Sequence, residues 1–152
     1  ECHVGHIEDF IAQKVTGDET ARAQDKALFE VHGCLVDAAH HMSTTKRAYL
    51  EASAHSIEMG NARLNYARCD QRIPKVFLRG HRHVGGHYSD GAGLFGVTGA
   101  WQFLTRHGNK VVTDSIPRPS VLVLDWRNVP FGSLPMVREF YVTPAQEPVA
   151  TY

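Results

Sequence analysis

Two short apolar runs, CLVDAA at 34–39 and KVFLR at 75–79, end close on histidine, and the longest helical stretch of the chain lies between them. Runs this short, bounded by polar or glycine stops, read as buried strands rather than as helix. The first belongs to "ALFEVHGCLVDAAHH", two short strands joined by a turn at His32-Gly33. The second, in "KVFLRGH", is stopped by Gly80. A strand, a long helix and a second strand in that order call for a sheet and helices that share one core.

The remaining segments fit that scheme. "HIEDFIAQKV" puts Ile7, Phe10, Ile11 and Val15 on one helical face, and the glycine of "TGDET" closes the helix. "STTKRAYLEASAHSIEMGNARLNYARC" is the long helix, with Ser43 or Thr44 as its N-cap. "GVTGAWQFLTRH", "SVLVLDWRNV" and "VREFYVTP" read as further strands. Pro117 and Pro119 separate the first two, and Pro144 ends the last. The class is α/β, or α+β with a mostly β second half.

Composition sets the bounds. The chain has 152 residues, enough for one domain with a core. Lysine plus arginine and aspartate plus glutamate number 16 each, so no broad basic field draws in nucleic acid. No apolar run approaches the roughly 18 residues of a membrane span. The three cysteines, Cys2, Cys34 and Cys69, form no C-x-x-C and are odd in number. That pattern fits free thiols in a reducing, cytoplasmic setting. Histidine is the unusual residue, at 10 of 152.

The histidines carry the chemistry. In G-H-R-H at 80–83, glycine permits a sharp turn off the strand, and residues two apart in extended chain point the same way. His81 and His83 can therefore serve one metal ion or two neighbouring ones, or they are simply polar loop residues. His40 and His41 follow the other apolar strand, and ligands in α/β proteins gather beyond the carboxyl ends of strands. His40, the first polar residue off that strand, is the stronger ligand candidate. His41 serves equally well as a helix-capping or packing residue.

An apolar strand running into His-His, followed some 40 residues later by an apolar strand running into G-H-x-H, resembles the last two motifs of the calcineurin-like metallophosphoesterases. The opening "ECHVGHIEDFIAQKV" is similar to the middle motif of phage-type members. The resemblance implies the C-terminal part of a four-layer α/β/β/α sandwich. It makes residues 1–143 a partial metallophosphoesterase domain and 144–152 a tail. It implies two divalent ions (manganese, iron or zinc), with Glu1, His40, His81 and His83 as ligands and His3 as proton donor or phosphate-orienting group. The implied substrates are phosphate mono- or diesters, nucleotides and nucleic acids among them. The family's first two motifs, D-x-H and G-D-x-x-D, occur nowhere in this sequence. A half-domain of this kind is expected to leave a sheet face or edge uncovered. The alternative is a non-catalytic module that binds one metal or none and serves a structural or partner-binding role.

Other marked residues have plainer readings. His6 reads as solvated, His32 as a turn residue and His55 as a helix surface or packing residue. His87 and Tyr88 either line a pocket or belong to a flexible loop, "GGHYSDGAG". Trp101 and Trp126 read as core. The basic residues spread along the long helix form a solvated face.

Overall fold

A computed structural model describes residues 7–40, 51–80, 85–99 and 119–142. The first helix, α1 (Ile7–Thr16), ends as its sequence predicts. Gly17 adopts a left-handed φ of 71°, and its N–H bonds the carbonyl of Gln13 at 2.9 Å. Its apolar face, however, packs on little: Phe10 is 57% exposed and Val15 81%. Periodicity makes the face; it does not supply a partner.

β1 (Lys26–Val31) and β2 (Cys34–Ala39) form the expected hairpin. His32 and Gly33, with φ of 50° and 75°, make the two-residue turn whose twist suits a hairpin. The turn docks on a later loop, with Gly132 N–H donating to the His32 carbonyl at 2.8 Å and His32 Nε2 3.0 Å from the Val129 carbonyl. His32 is thus a turn residue, and it lies away from the strand ends that carry His40.

The long helix is described from Glu51 to Arg68 (α2). Its expected N-cap, Ser43 or Thr44, lies outside the described residues. β3 (Val76–Arg79), β4 (Gly86–Ser89) and β5 (Leu94–Val97) complete a five-stranded sheet of order β1-β2-β3-β5-β4. β2, β3 and β5 run parallel, and the two edge strands run antiparallel to their neighbours. β6 (Ser120–Asp125) and β7 (Met136–Tyr141) form a separate antiparallel pair. The fold is α/β.

One sequence reading shifts. The segment 85–93 is not a plain loop: Gly86–Ser89 pairs with β5, and Asp90 caps the connecting turn by accepting from the N–H groups of Ala92 (3.0 Å) and Gly93 (2.8 Å). β5 runs from Leu94 to Val97 and overlaps only the start of the strand expected in "GVTGAWQFLTRH", most of which, Trp101 included, lies outside the described residues.

Side-chain alternation sorts the core into two faces. On one face Phe77, Phe95 and Val97 pack under Met59 and Tyr66 of α2. His55 of the same helix is buried and stacks on Phe95, with ring centroids 5.4 Å apart. On the other face Val36, Val76 and Leu94 meet Leu124, Trp126 and Val137 from the β6–β7 pair. The Leu122 side chain closes over Gly96, where an added Cβ would sit 2.5 Å from its Cδ2. The described residues therefore stack as helix, sheet and hairpin. The outer side of the hairpin shows water Val121, Val123, Met136 and Phe140, all exposed.

Candidate functional site

Three parallel strands bring their carboxyl ends to one edge of the molecule. Ala39 of β2 is in register with Arg79 of β3, and Arg79 with Val97 of β5. The chain continues this alignment past the strands: Gly80 N–H bonds the Ala39 carbonyl at 3.2 Å, and Thr98 N–H bonds the Arg79 carbonyl at 3.0 Å. His40 is tied down by its own N–H to the Asp25 carbonyl at 3.0 Å.

His40 and Gly80 are consequently close neighbours, with about the room of a methyl group between them. A Cβ built on Gly80 would lie 3.4 Å from the His40 carbonyl oxygen and 3.6 Å from His40 Nδ1. The imidazole that follows β2 lies beside Gly80, the first residue after β3. Glu1, His3, His81 and His83 lie outside the described residues, as does His41. Among the described residues no three His, Cys, Asp or Glu side chains gather to hold a metal ion.

Just behind the strand ends, on the helix side, lies a buried ionic layer that the sequence reading passed over. Arg79 Nη1 donates to Asp37 Oδ1 (3.0 Å), to the Asp37 carbonyl (3.0 Å) and to the Leu78 carbonyl (2.9 Å). Its guanidinium carbon sits 5.8 Å from the ring centroids of both Phe77 and Phe95. Asp37 Oδ2 accepts from the Tyr66 hydroxyl at 2.9 Å and pairs with Lys26 Nζ at 3.1 Å. Burial works against the Lys26 charge, but Tyr66 and Asp37 outweigh it and raise its pKa above the ordinary lysine value. These groups line a cleft of about 380 Å³ between α2 and the sheet, which Glu58 and Asn61 also border. Two cations, Lys26 and Arg79, face two anions, Asp37 and Glu58. The layer is balanced, so it braces the strand ends and offers no spare charge to a ligand.

A signal for it existed. Each of the two apolar strands carries one lone charge, and a buried charge needs a partner. Asp37 and Arg79 are the obvious pair once β2 and β3 are neighbours.

At the far side of the sheet, His87 on β4 points at β7, where its Nδ1 lies 3.3 Å from Glu139 Oε2. The pair is 52 residues apart in sequence, which is why no local motif announced it. Cys34 and Cys69 are both free, and the Cys34 thiol donates to the Ser133 carbonyl at 3.0 Å. No helix among the described residues is long and apolar enough to cross a membrane.

The geometry defines an α/β protein with histidine at the carboxyl end of a parallel strand. No protein-family model matches the chain, and no curated protein matches it in sequence. Among solved structures it is similar to a single mutant of Vps29 from Entamoeba histolytica, at 12% identity and a TM-score of 0.45, over 79% of this chain and 62% of that one. Wild-type Vps29 of the same organism, complexed with zinc, gives 14% identity and a TM-score of 0.44, over 78% and 59%. A Thermotoga maritima protein solved by NMR gives 15% identity and a TM-score of 0.36, over 78% and 54%. The chain spans less than two thirds of the length of each. At such identities and scores the likeness says nothing about which residues act.

Proposed function

We propose that the chain is the C-terminal part of a metal-dependent phosphoesterase of the calcineurin-like class, phage-type in its motifs. The observation that carries the reading is the proximity of His40 and Gly80 at the ends of neighbouring parallel strands. It supports a shared centre, because the two histidine-bearing segments leave the sheet side by side. Parallel strands deliver their carboxyl ends together, and that is where α/β proteins place ligands.

In this reading His40 and His81 hold one divalent ion and His83 the other, with Glu1 as an added carboxylate ligand. The donor chemistry fits manganese, iron or zinc, since imidazole with carboxylate suits such ions better than calcium. When bound, two such ions stabilise phosphoryl charge and lower the pKa of a water between them. The chain's own contributions are to orient the imidazoles from rigid strand ends and to offer His3 as proton donor to the leaving group. The buried Arg79–Asp37 layer fixes the strand ends from below. The fourth layer of the sandwich would cover the apolar outer side of the β6–β7 pair, where Val121, Val123, Met136 and Phe140 are exposed. Phosphate esters, including nucleotides and nucleic acids, are the substrate class. Hydrolysis of an aryl phosphate diester with added manganese, compared with His40→Ala and His81→Ala, tests the reading.

The same exposed surfaces favour a second reading. Apolar residues on the hairpin and on α1 suit a partner-binding module whose strand-end histidines bind one ion or none. In that case partner binding is unchanged by His40→Ala and is lost on placing charge at Val123 or Phe140.

A further inference from the structure

Glu139 is the one carboxylate that the β6–β7 pair turns inward with an oxygen left over. Its side chain is only 9% exposed. Oε2 faces His87 Nδ1, while Oε1 is buried and has no hydrogen-bond partner among the described residues. A carboxylate removed from water normally finds a donor for each oxygen, and an orphaned one is costly. The neighbourhood is polar and cramped by design: a Cβ on Gly85 would fall 2.0 Å from Ser120 Oγ, 3.0 Å from Gly99 N and 3.1 Å from Glu139 Oε1. Only glycine at position 85 leaves room for the Ser120 hydroxyl, which stands next to the carboxylate's neighbourhood.

The His87–Glu139 separation is informative as well. A charge-assisted N–H···O bond is typically about 2.7–2.9 Å long. Two ligands at roughly 2.0–2.1 Å from a tetrahedral ion stand about 3.3–3.4 Å apart. The observed 3.3 Å matches the second spacing better than the first. His87 is 42% exposed, so an ion can reach it from solvent.

We infer that His87 Nδ1 and the Glu139 carboxylate form a half-site for a divalent transition metal of the zinc type. The second carboxylate oxygen is brought into use when the ion binds, and water completes the shell. The pair lies well away from His40. β4 lies three strand spacings from β2, about 14 Å across the sheet. It goes beyond the phosphoesterase reading and does not need a phosphate ester.

The test is a titration of the full chain with cobalt(II), which reports its ligands by absorption, alongside thermal melts with and without zinc. The wild-type chain should show a histidine-ligated cobalt band and a zinc-dependent rise in Tm. Glu139→Gln and His87→Ala should each weaken the band's apparent affinity by about tenfold or more and remove the zinc-dependent rise. Without metal, Glu139→Gln should melt no lower than wild type, since it removes an orphaned charge. That result separates a ligand role from a structural one. His40→Ala should leave this band intact. The inference is overturned if the wild-type chain binds no cobalt, or if both variants bind it as wild type does. A wild-type band lost only on changing His40 would overturn this site and leave the strand-end centre standing.

Discussion

Arg79 and Asp37 meet at 3.0 Å beneath the strand ends, with side chains 5% and 1% exposed. Removing one partner of such a pair leaves the other buried and uncompensated. Arg79→Leu should therefore cost about 3–5 kcal/mol of stability in urea denaturation. Arg79→Leu combined with Asp37→Leu should recover part of the loss, because no charge is then stranded. A loss from the single variant below about 1 kcal/mol would show that Lys26 and Tyr66 alone satisfy Asp37.

The β1–β2 turn gives a second, local test. Gly33 has φ of 75°, and a Cβ there would stand 2.6 Å from Phe131 Cε1. Phe131 is exposed and its ring can swing aside, so the backbone conformation dominates the cost. Gly33→Ala should destabilise by about 1–2 kcal/mol, read as a lower midpoint in chemical denaturation. An unchanged midpoint would mean that the turn relaxes to another type.

Acid should loosen the β4–β5 turn. Arg63 of α2, with the N–H groups of Gly93 and Ala92, holds the Asp90 carboxyl down to about 2 against burial, which works the other way. A depressed carboxyl contributes stability that is full above its unfolded value near 4 and fades as pH falls through the folded one. The pair is partly open to solvent, so its share is discounted to about 1 kcal/mol. Asp90→Asn should remove that stability at neutral pH and flatten the stability profile between roughly pH 4 and 2. Stability measured at a series of pH values checks both the size and the direction.

These residues also show what the sequence could say. β2 and β3 were legible because strands buried on both faces must be apolar throughout, and their endings on His40 and Gly80 stood out against that background. The α1 stop at Gly17 and the turn at His32-Gly33 were legible because left-handed backbone selects its residues. β4 was not, since a strand reading G-H-Y-S, in which Tyr88 alone packs on the core, looks like loop. Nor did the pattern on α1 reveal that Phe10 and Val15 stay exposed, because a helical period records a face and not its cover. Of the proposed ligands, His40 is placed beside Gly80, while Glu1, His3, His81 and His83 lie outside the described residues. The pairing of His87 with Glu139 depends on how the β6–β7 hairpin lies on the sheet, which no local spacing encodes.

The last prediction concerns turnover. A two-metal phosphoesterase needs a carboxylate bridging its ions, and the family's D-x-H and G-D-x-x-D stretches that would supply one are absent from these 152 residues. In the phosphoesterase reading His40 and His81 hold an ion, but without the bridge a second ion is not fixed and the attacking water is neither ionised nor aimed. Loss of one ion from such a clamp removes several kcal/mol of transition-state stabilisation, roughly a thousandfold in rate or worse. This chain by itself should bind manganese or zinc weakly and hydrolyse an aryl phosphate diester at the background rate. Joining it to a polypeptide that carries both missing motifs should restore turnover, and His81→Ala in the joined protein should abolish it again. Rapid hydrolysis by the chain alone, indifferent to His81→Ala, would place the site elsewhere and remove the phosphoesterase reading.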